Sequence, residues 1–271
     1  MQRFLVSLAA FTMCSSALML DKNHTQGTAP MVWEKQQQST DLSGYVRARQ
    51  FDHRLRVCNA YPNEASLIVS RRQEVLTEPA LNYRECQDVK APLKSGDRLE
   101  FKVGGVSAGI FAVSDLPNND AVLLLVIHRH DTLTTAASFS SHVFANLLNS
   151  QVAVLDTYQG RSTLSPNIVD EIHGKARRER LRFNSVVAVN EGEYQVNLVN
   201  TTGGPQLSRE LVALNRESYV VIRTGVASQS GPSFPEDLIV FPQSSVALLS
   251  GAELAAPTSA VLLLAVLAWF I

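Results

Sequence analysis

The chain has 271 residues, and its 24 Lys and Arg against 25 Asp and Glu give a formal net charge of −1. A nearly neutral chain offers no electrostatic argument for a nucleic acid or an anionic membrane as its partner. The length suits one or two domains, and the apolar content of 45% is ordinary for a globular protein.

The N-terminus has the order of a secretory signal peptide. Arg3 supplies the positive charge, residues 4–13 are apolar, and small residues at 15–17 offer a cleavage region. We therefore predict a signal peptide over residues 1–20. Residues 21–52 are polar and show no clear period, which predicts a linker.

Secretion changes the interpretation of the cysteines and the sequons. Cys14 would leave with the signal peptide, so Cys58 and Cys86 would remain as an even pair. In an oxidising compartment the pair predicts a disulfide, and two free buried thiols are the alternative. Asn23 and Asn200 begin Asn-x-Thr sequons and are predicted glycosylation sites.

The first predicted domain, residues 53–131, consists of short strands between turn residues. They are predicted at 54–61, 65–70, 82–89, 98–103, 108–113 and 121–127. The last is an unbroken run of seven apolar residues, which favours a strand buried on both faces. We expect Leu124, in this run, to lie in the core of the first domain.

Residues 132–150 are predicted as a hinge. Their Thr, Ser and Ala content favours extended structure that could run back beside strand 121–127. Alternatively, Ser141 could cap a helix with Phe144 and Leu148 on one face.

The second predicted domain, residues 151–242, follows the plan of the first. Its predicted strands are 152–158, 185–189, 194–198, 206–214 and 219–222. Three landmarks recur at offsets of 97 (61 to 158), 96 (96 to 192) and 98 (116 to 214). Such constancy indicates an internal duplication. Short strands with frequent turns and no helical period predict an all-β fold of two tandem antiparallel β-sandwiches.

Residues 243–271 resemble a glycosylphosphatidylinositol anchor signal. Small residues at 250–252 are followed by a spacer and by the apolar tail 260–271. We predict Ser250 as the attachment site, so the protein would lie on the extracellular face of the plasma membrane. A transmembrane helix beginning near Val246 is the alternative.

One resemblance to known families rests on a few patterned segments. These are Asn59-Ala60-Tyr61, Gly192-Glu193-Tyr194, Leu214 and residues 217–222. They resemble a family of small secreted β-sandwich domains of unknown function and, more faintly, the tandem-sandwich periplasmic adaptor of alginate O-acetylation. The resemblance implies a binding role.

Two clusters could carry a site. His128 and His130 alternate along a strand and could share a metal ion, with Asp131 or His142 as a further ligand, although polar residues are also expected where a strand leaves the core. The only basic cluster contains Arg177, Arg178, Arg180 and Arg182. It could hold a sulfated glycan or a phospholipid head group, or be the charged side of an edge strand.

No nucleophile elbow, phosphate loop, dinucleotide fingerprint or H-E-x-x-H motif occurs in the sequence. We therefore expect a secreted, anchored surface protein that binds a protein or glycan ligand, without catalysis, cofactor or nucleic acid. An adaptor for polysaccharide modification or assembly is the first alternative. A metal-dependent hydrolase using His128 and His130 is the second.

Overall fold

The computed structural model describes residues 51–145, 148–170, 177–200 and 204–249. The predicted signal peptide, nearly all of the linker, Asn23 and Ser250 lie outside this part of the chain. Within it the chain forms two successive runs of eight strands and ends in a short 3-10 turn, Val246–Leu248. None of the described elements is a helix with the length and hydropathy to cross a membrane.

The first run forms one sandwich of two four-stranded sheets. Its strands are β1 (His53–Ala60), β2 (Leu67–Arg71), β3 (Glu74–Val75), β4 (Cys86–Val89), β5 (Arg98–Val103), β6 (Val106–Ala112), β7 (Ala121–Arg129) and β8 (Ala137–Phe144). We call the sheet with order β4-β1-β7-β8 inner sheet 1 and the sheet with order β3-β2-β5-β6 outer sheet 1.

The second run repeats this topology. Its strands are β9 (Ser150–Asp156), β10 (Ser165–Asp170), β11 (Arg177–Arg180), β12 (Ser185–Val189), β13 (Gly192–Val199), β14 (Pro205–Ala213), β15 (Ser218–Val226) and β16 (Phe234–Phe241). Inner sheet 2 has the order β12-β9-β15-β16, and outer sheet 2 has the order β11-β10-β13-β14.

The two runs confirm the internal duplication and the predicted fold class. Strands β1, β7 and β8 begin at residues 53, 121 and 137, and β9, β15 and β16 begin at 150, 218 and 234, so each offset is 97. Pairing is antiparallel except for one parallel pair at the centre of each inner sheet, β1 with β7 and β9 with β15.

Three apolar cores hold four sheets in layers. The first core lies between the sheets of the first sandwich and includes Val57, Val69, Phe101, Leu123 and Leu125. The second lies between the sheets of the second sandwich and includes Val154, Ile168, Val196, Leu198 and Val221. The third lies between the two inner sheets and includes Cys58, Val122, Leu124, Phe144, Val220 and Ile222.

Strand β7 belongs to two of these cores, which explains its unbroken apolar run. Successive side chains of a strand point to opposite faces. Leu123 and Leu125 therefore contact the first core, and Leu124 contacts the third. The prediction of a strand buried on both faces is confirmed, but the placement of Leu124 in the first core is wrong, because that face of inner sheet 1 is covered by the second sandwich.

Polar contacts cross the same interface. The guanidinium of Arg56, fully buried in β1, lies 2.7 Å from Asp88 of its own sandwich and 3.3 Å from Glu217 of the other. Tyr83 Oη and Thr224 Oγ1 are 3.2 Å apart, and Thr224 donates to the carbonyl of Ala60. The two sandwiches are therefore joined by shared apolar and ionic contacts.

The predicted hinge 132–150 contains strand β8, which pairs antiparallel with β7 from Val122–Phe144 to Arg129–Ala137. The expectation of extended structure is right, and the helix alternative is wrong. A hinge over the whole range is also wrong, because β8 pairs along its length with β7 and forms the edge of inner sheet 1. The first sandwich therefore extends to Phe144, and residue 150 already begins β9.

The predicted disulfide is present. Cys58 and Cys86 are opposite each other on β1 and β4, and their sulfurs are bonded. Cys58 is fully buried and faces the third core. The bridge therefore joins the edge strand β4 to the interior strand β1, beside the third core.

Candidate functional site

Side chains alternate between the two faces of strand β11, so the arginines of the basic cluster do not all lie on one face. Arg180 lies opposite Asn167 of β10, and Arg178 lies opposite Val169. Arg177 and Glu179 point to the other side, where their side chains form an ion pair at 2.5 Å. Arg182 is exposed and follows the end of the strand. The structure thus places two of the four predicted arginines together, on the face that carries Asn167.

Arg178 and Arg180 line a groove of about 560 Å³ at the edge of outer sheet 2. We call it the arginine groove. Its lining residues are Ser165, Pro166, Asn167, Arg178, Arg180, Val199 and Asn200. In the described part of the chain neither Arg178 nor Arg180 has a carboxylate partner, so both positive charges face the groove uncompensated. A guanidinium offers a planar set of donors that suits sulfate, phosphate and carboxylate groups.

Asn167 gives the arginine groove a second polar feature. Only 5% of the residue is exposed, and its Oδ1 has no hydrogen-bond partner among the described residues. A buried amide oxygen without a partner costs roughly 1–3 kcal/mol, and such groups are uncommon in folded proteins. The oxygen itself is buried, so a hydroxyl donor of a bound molecule would satisfy it only if the Asn167 side chain turned toward the arginine groove.

Asn197 lies directly opposite Asn167 on β13 and shares this property. It is 4% exposed, and its Oδ1 is also without a partner among the described residues. It does not line the arginine groove. The two amides form an adjacent pair on the face of outer sheet 2 opposite the second core.

The predicted glycosylation site Asn200 lies at the rim of the same groove. It follows β13, and its Oδ1 accepts a hydrogen bond from the Gly204 amide at 3.2 Å. The backbone N–H of Asn200 in turn donates to the Gly204 carbonyl at 3.3 Å. These two contacts fix the position of Asn200 beside the groove.

The two histidines of the metal hypothesis are each bonded to a serine. His128 Nδ1 lies 3.0 Å from the carbonyl oxygen of Arg129 and must donate to it, so Nε2, 3.0 Å away, accepts from Ser140. His130 Nδ1 lies 2.8 Å from Ser138 Oγ. Burial is the main cause that lowers the pKa of His128. Nowhere in the described residues do three His, Cys, Asp or Glu side chains gather as a metal site would require, so neither Asp131 nor His142 completes one.

A second cleft, of about 480 Å³, lies where the sandwiches meet and is lined in part by Arg84, Arg209 and Asp237. Both guanidiniums contact the nearly buried Asp237 carboxylate, which accepts from Arg209 at 2.6 Å. Because the arginine charges are partly neutralised here, this cleft is less suited to an anion than the arginine groove.

Sequence reasoning missed Asn167. Residues 165–167, Ser-Pro-Asn, are typical of a turn, and nothing local indicates that strand β10 places the amide beside Arg180. Only the pairing of β10 with β11 and β13 brings these side chains together.

Neither comparison of the sequence, with protein families and with curated proteins, finds a match. A solved structure described as "Alpha-glucan binding by a streptococcal virulence factor" is 10% identical, with 68% of this chain and 96% of that chain covered and a TM-score of 0.20. A likeness at this TM-score carries no argument. The resemblance to the alginate adaptor is likewise not shown.

Proposed function

We propose that the protein binds an acidic saccharide chain in the arginine groove, as a secreted, lipid-anchored protein of the cell surface. The observation that carries this proposal is that two guanidiniums and the amide oxygen of Asn167, none of them with a partner among the described residues, belong to residues of one groove. Sulfate or carboxylate groups would accept from Arg178 and Arg180, and a sugar hydroxyl would donate to Asn167.

A saccharide fits these residues better than a phospholipid head group does. Guanidiniums alone would suit either, but a nearly buried neutral acceptor calls for a donor close to the anionic group. Sulfated and uronic chains offer hydroxyl donors close to their acid groups. The secretory signal and the anchor signal predicted from the sequence would place such a groove among extracellular glycans.

The test measures binding of the secreted protein to immobilised heparin, a sulfated saccharide. Arg178→Ala with Arg180→Ala should raise the Kd at least about tenfold, because both charge-assisted contacts are lost. The matched control, Arg177→Ala with Arg182→Ala, removes the same charge outside the groove and should change the Kd by less than about twofold. Wild-type affinity should also fall as salt rises.

An equal loss of heparin affinity in both double variants would overturn the proposal, because it would show that heparin is attracted by net charge alone. Binding to vesicles containing phosphatidylserine, without binding to heparin, would assign the groove to a membrane surface instead.

A further inference from the structure

We infer that a glycan attached to Asn200 occupies the rim of the arginine groove and controls access to it. This inference rests on the proposed function, because it concerns regulation of the same site. Asn200 both lines the groove and begins the sequon Asn200-Thr201-Thr202. A modification at the site itself would decide which molecules of the protein can bind.

Asn200 can carry a glycan beside the groove without losing its contacts with Gly204. Its Oδ1 is engaged by the Gly204 amide at 3.2 Å, and glycosylation uses the other amide atom, Nδ2. The linkage therefore leaves the Oδ1 contact in place. Because the backbone of Asn200 is also bonded to Gly204, the side chain is held at the groove rim from two directions.

The first sugars of the glycan would then meet the polar groups of the groove. Their hydroxyls can donate to the Asn167 oxygen, and their ring oxygens can accept from Arg180. A neutral glycan core carries no charge to satisfy the guanidiniums fully, so it blocks an acidic chain without replacing it. Glycosylated molecules should therefore bind heparin more weakly than unmodified ones.

Two neighbouring threonines allow a matched experiment. Thr202→Ala destroys the sequon while keeping Asn200, whereas Thr201→Ala keeps the sequon Asn-x-Thr intact. Both variants and the wild type are secreted from glycosylating cells, and mass spectrometry measures occupancy at Asn200. Thr25→Ala, which removes only the sequon at Asn23, controls for loss of a glycan elsewhere.

We expect the Thr202→Ala protein to bind heparin at least about tenfold more tightly than the wild type, the Thr201→Ala protein or the Thr25→Ala protein. An unoccupied Asn200 in the wild type would overturn the inference. A Kd that is equal in the Thr202→Ala protein and the occupied wild type would also overturn it, while leaving the groove as a binding site. If the Thr202→Ala protein does not bind heparin either, the proposed function fails and the inference fails with it.

Discussion

The two outer sheets come from equivalent strands of one duplicated unit, yet they differ across one row of residues. At the offset of 97, Ser70 and Glu100 of outer sheet 1 correspond to Asn167 and Asn197 of outer sheet 2, and both pairs are opposite each other in their sheets. The Glu100 carboxylate forms an ion pair with Lys102 at 3.2 Å, whereas the two amide oxygens have no partner among the described residues. The row thus carries an ion pair in the first sandwich and two amide oxygens without a described partner in the second.

The neighbouring edge strands enlarge this difference. Ser70 pairs with Val75 in the two-residue strand β3, but Asn167 pairs with Arg180 in the four-residue strand β11. The inner sheets, in contrast, both contribute apolar residues to the third core. The duplication thus retains side chains that must exclude water and varies those that face away from the cores, where a change costs little stability.

The largest effect is expected from Leu124→Asp, which tests whether the sandwiches depend on a shared core. A carboxylate in the third core would cost several kcal/mol, comparable to the whole stability of a domain. The variant should not be secreted, and hydrogen exchange of protein refolded in vitro should show lost protection in both sandwiches. Val143→Asp, at a position 42% exposed on the adjacent strand, is the matched control and should be secreted. Protection retained throughout the second sandwich would show that the two fold independently.

Removal of the disulfide should have the next largest effect. Cys58 and Cys86 are 28 residues apart, and Cys58→Ala with Cys86→Ala should lower the free energy of unfolding by roughly 3–4 kcal/mol. Because Cys58 faces the third core, calorimetry should show one transition at a lower temperature. Two separate transitions, with the second at the wild-type temperature, would contradict the shared core.

The third prediction contrasts the two rows directly. Asn167→Leu and Asn197→Leu each remove a buried oxygen that has no partner in the described part of the chain, and each should raise the free energy of unfolding by about 1 kcal/mol. Asn167→Leu should also weaken heparin binding, while Asn197→Leu, outside the groove, should not. Thermal melts and binding curves of the same preparations measure both quantities.

The equivalent change in the first sandwich is Glu100→Leu, which leaves Lys102 without its partner. It should give no gain in stability, because the partly exposed pair it breaks contributes at most about 1 kcal/mol. If Glu100→Leu raised the free energy of unfolding as much as Asn167→Leu does, the amide oxygens of the second sandwich would not be what destabilises that row.

The smallest effect concerns pH. Burial lowers the pKa of both His128 and His142, and the residues 97 positions later are Gly225 and Ile239, which do not titrate. As pH falls through about 6.5, the unfolded chain takes up protons that the folded sites resist, so stability decreases. Between about pH 7 and 5.5, His128→Asn with His142→Asn should flatten this decrease. An unchanged slope of unfolding free energy against pH would contradict the assignment.

Much of the fold was predictable because it depends on local patterns. The alternation of residues 98–103 predicted β5, and the apolar run 121–127 predicted a doubly buried strand. Strands β10 and β16 were missed, since Pro166 and Pro235 suggest turns and only pairing with neighbouring strands makes these segments extended.

The candidate site was predictable only in part. The arginine cluster is evident in the sequence. Which of its side chains share a face of the sheet could not be predicted, because that depends on the residue at which β11 begins. Asn167 is 13 residues from Arg180 in the chain, and no local property of either residue indicates that they share a groove.

The sequence by itself determined the all-β class, the duplication at an offset near 97 and the pairing of the two cysteines, because strand period, turn residues and cysteine number are encoded locally. Only the tertiary structure decided that Leu124 faces the second sandwich and that Asn167 lies beside Arg180, with no described residue bonded to its oxygen. A strand's period states which side chains share a face, but contacts between distant strands decide what covers that face.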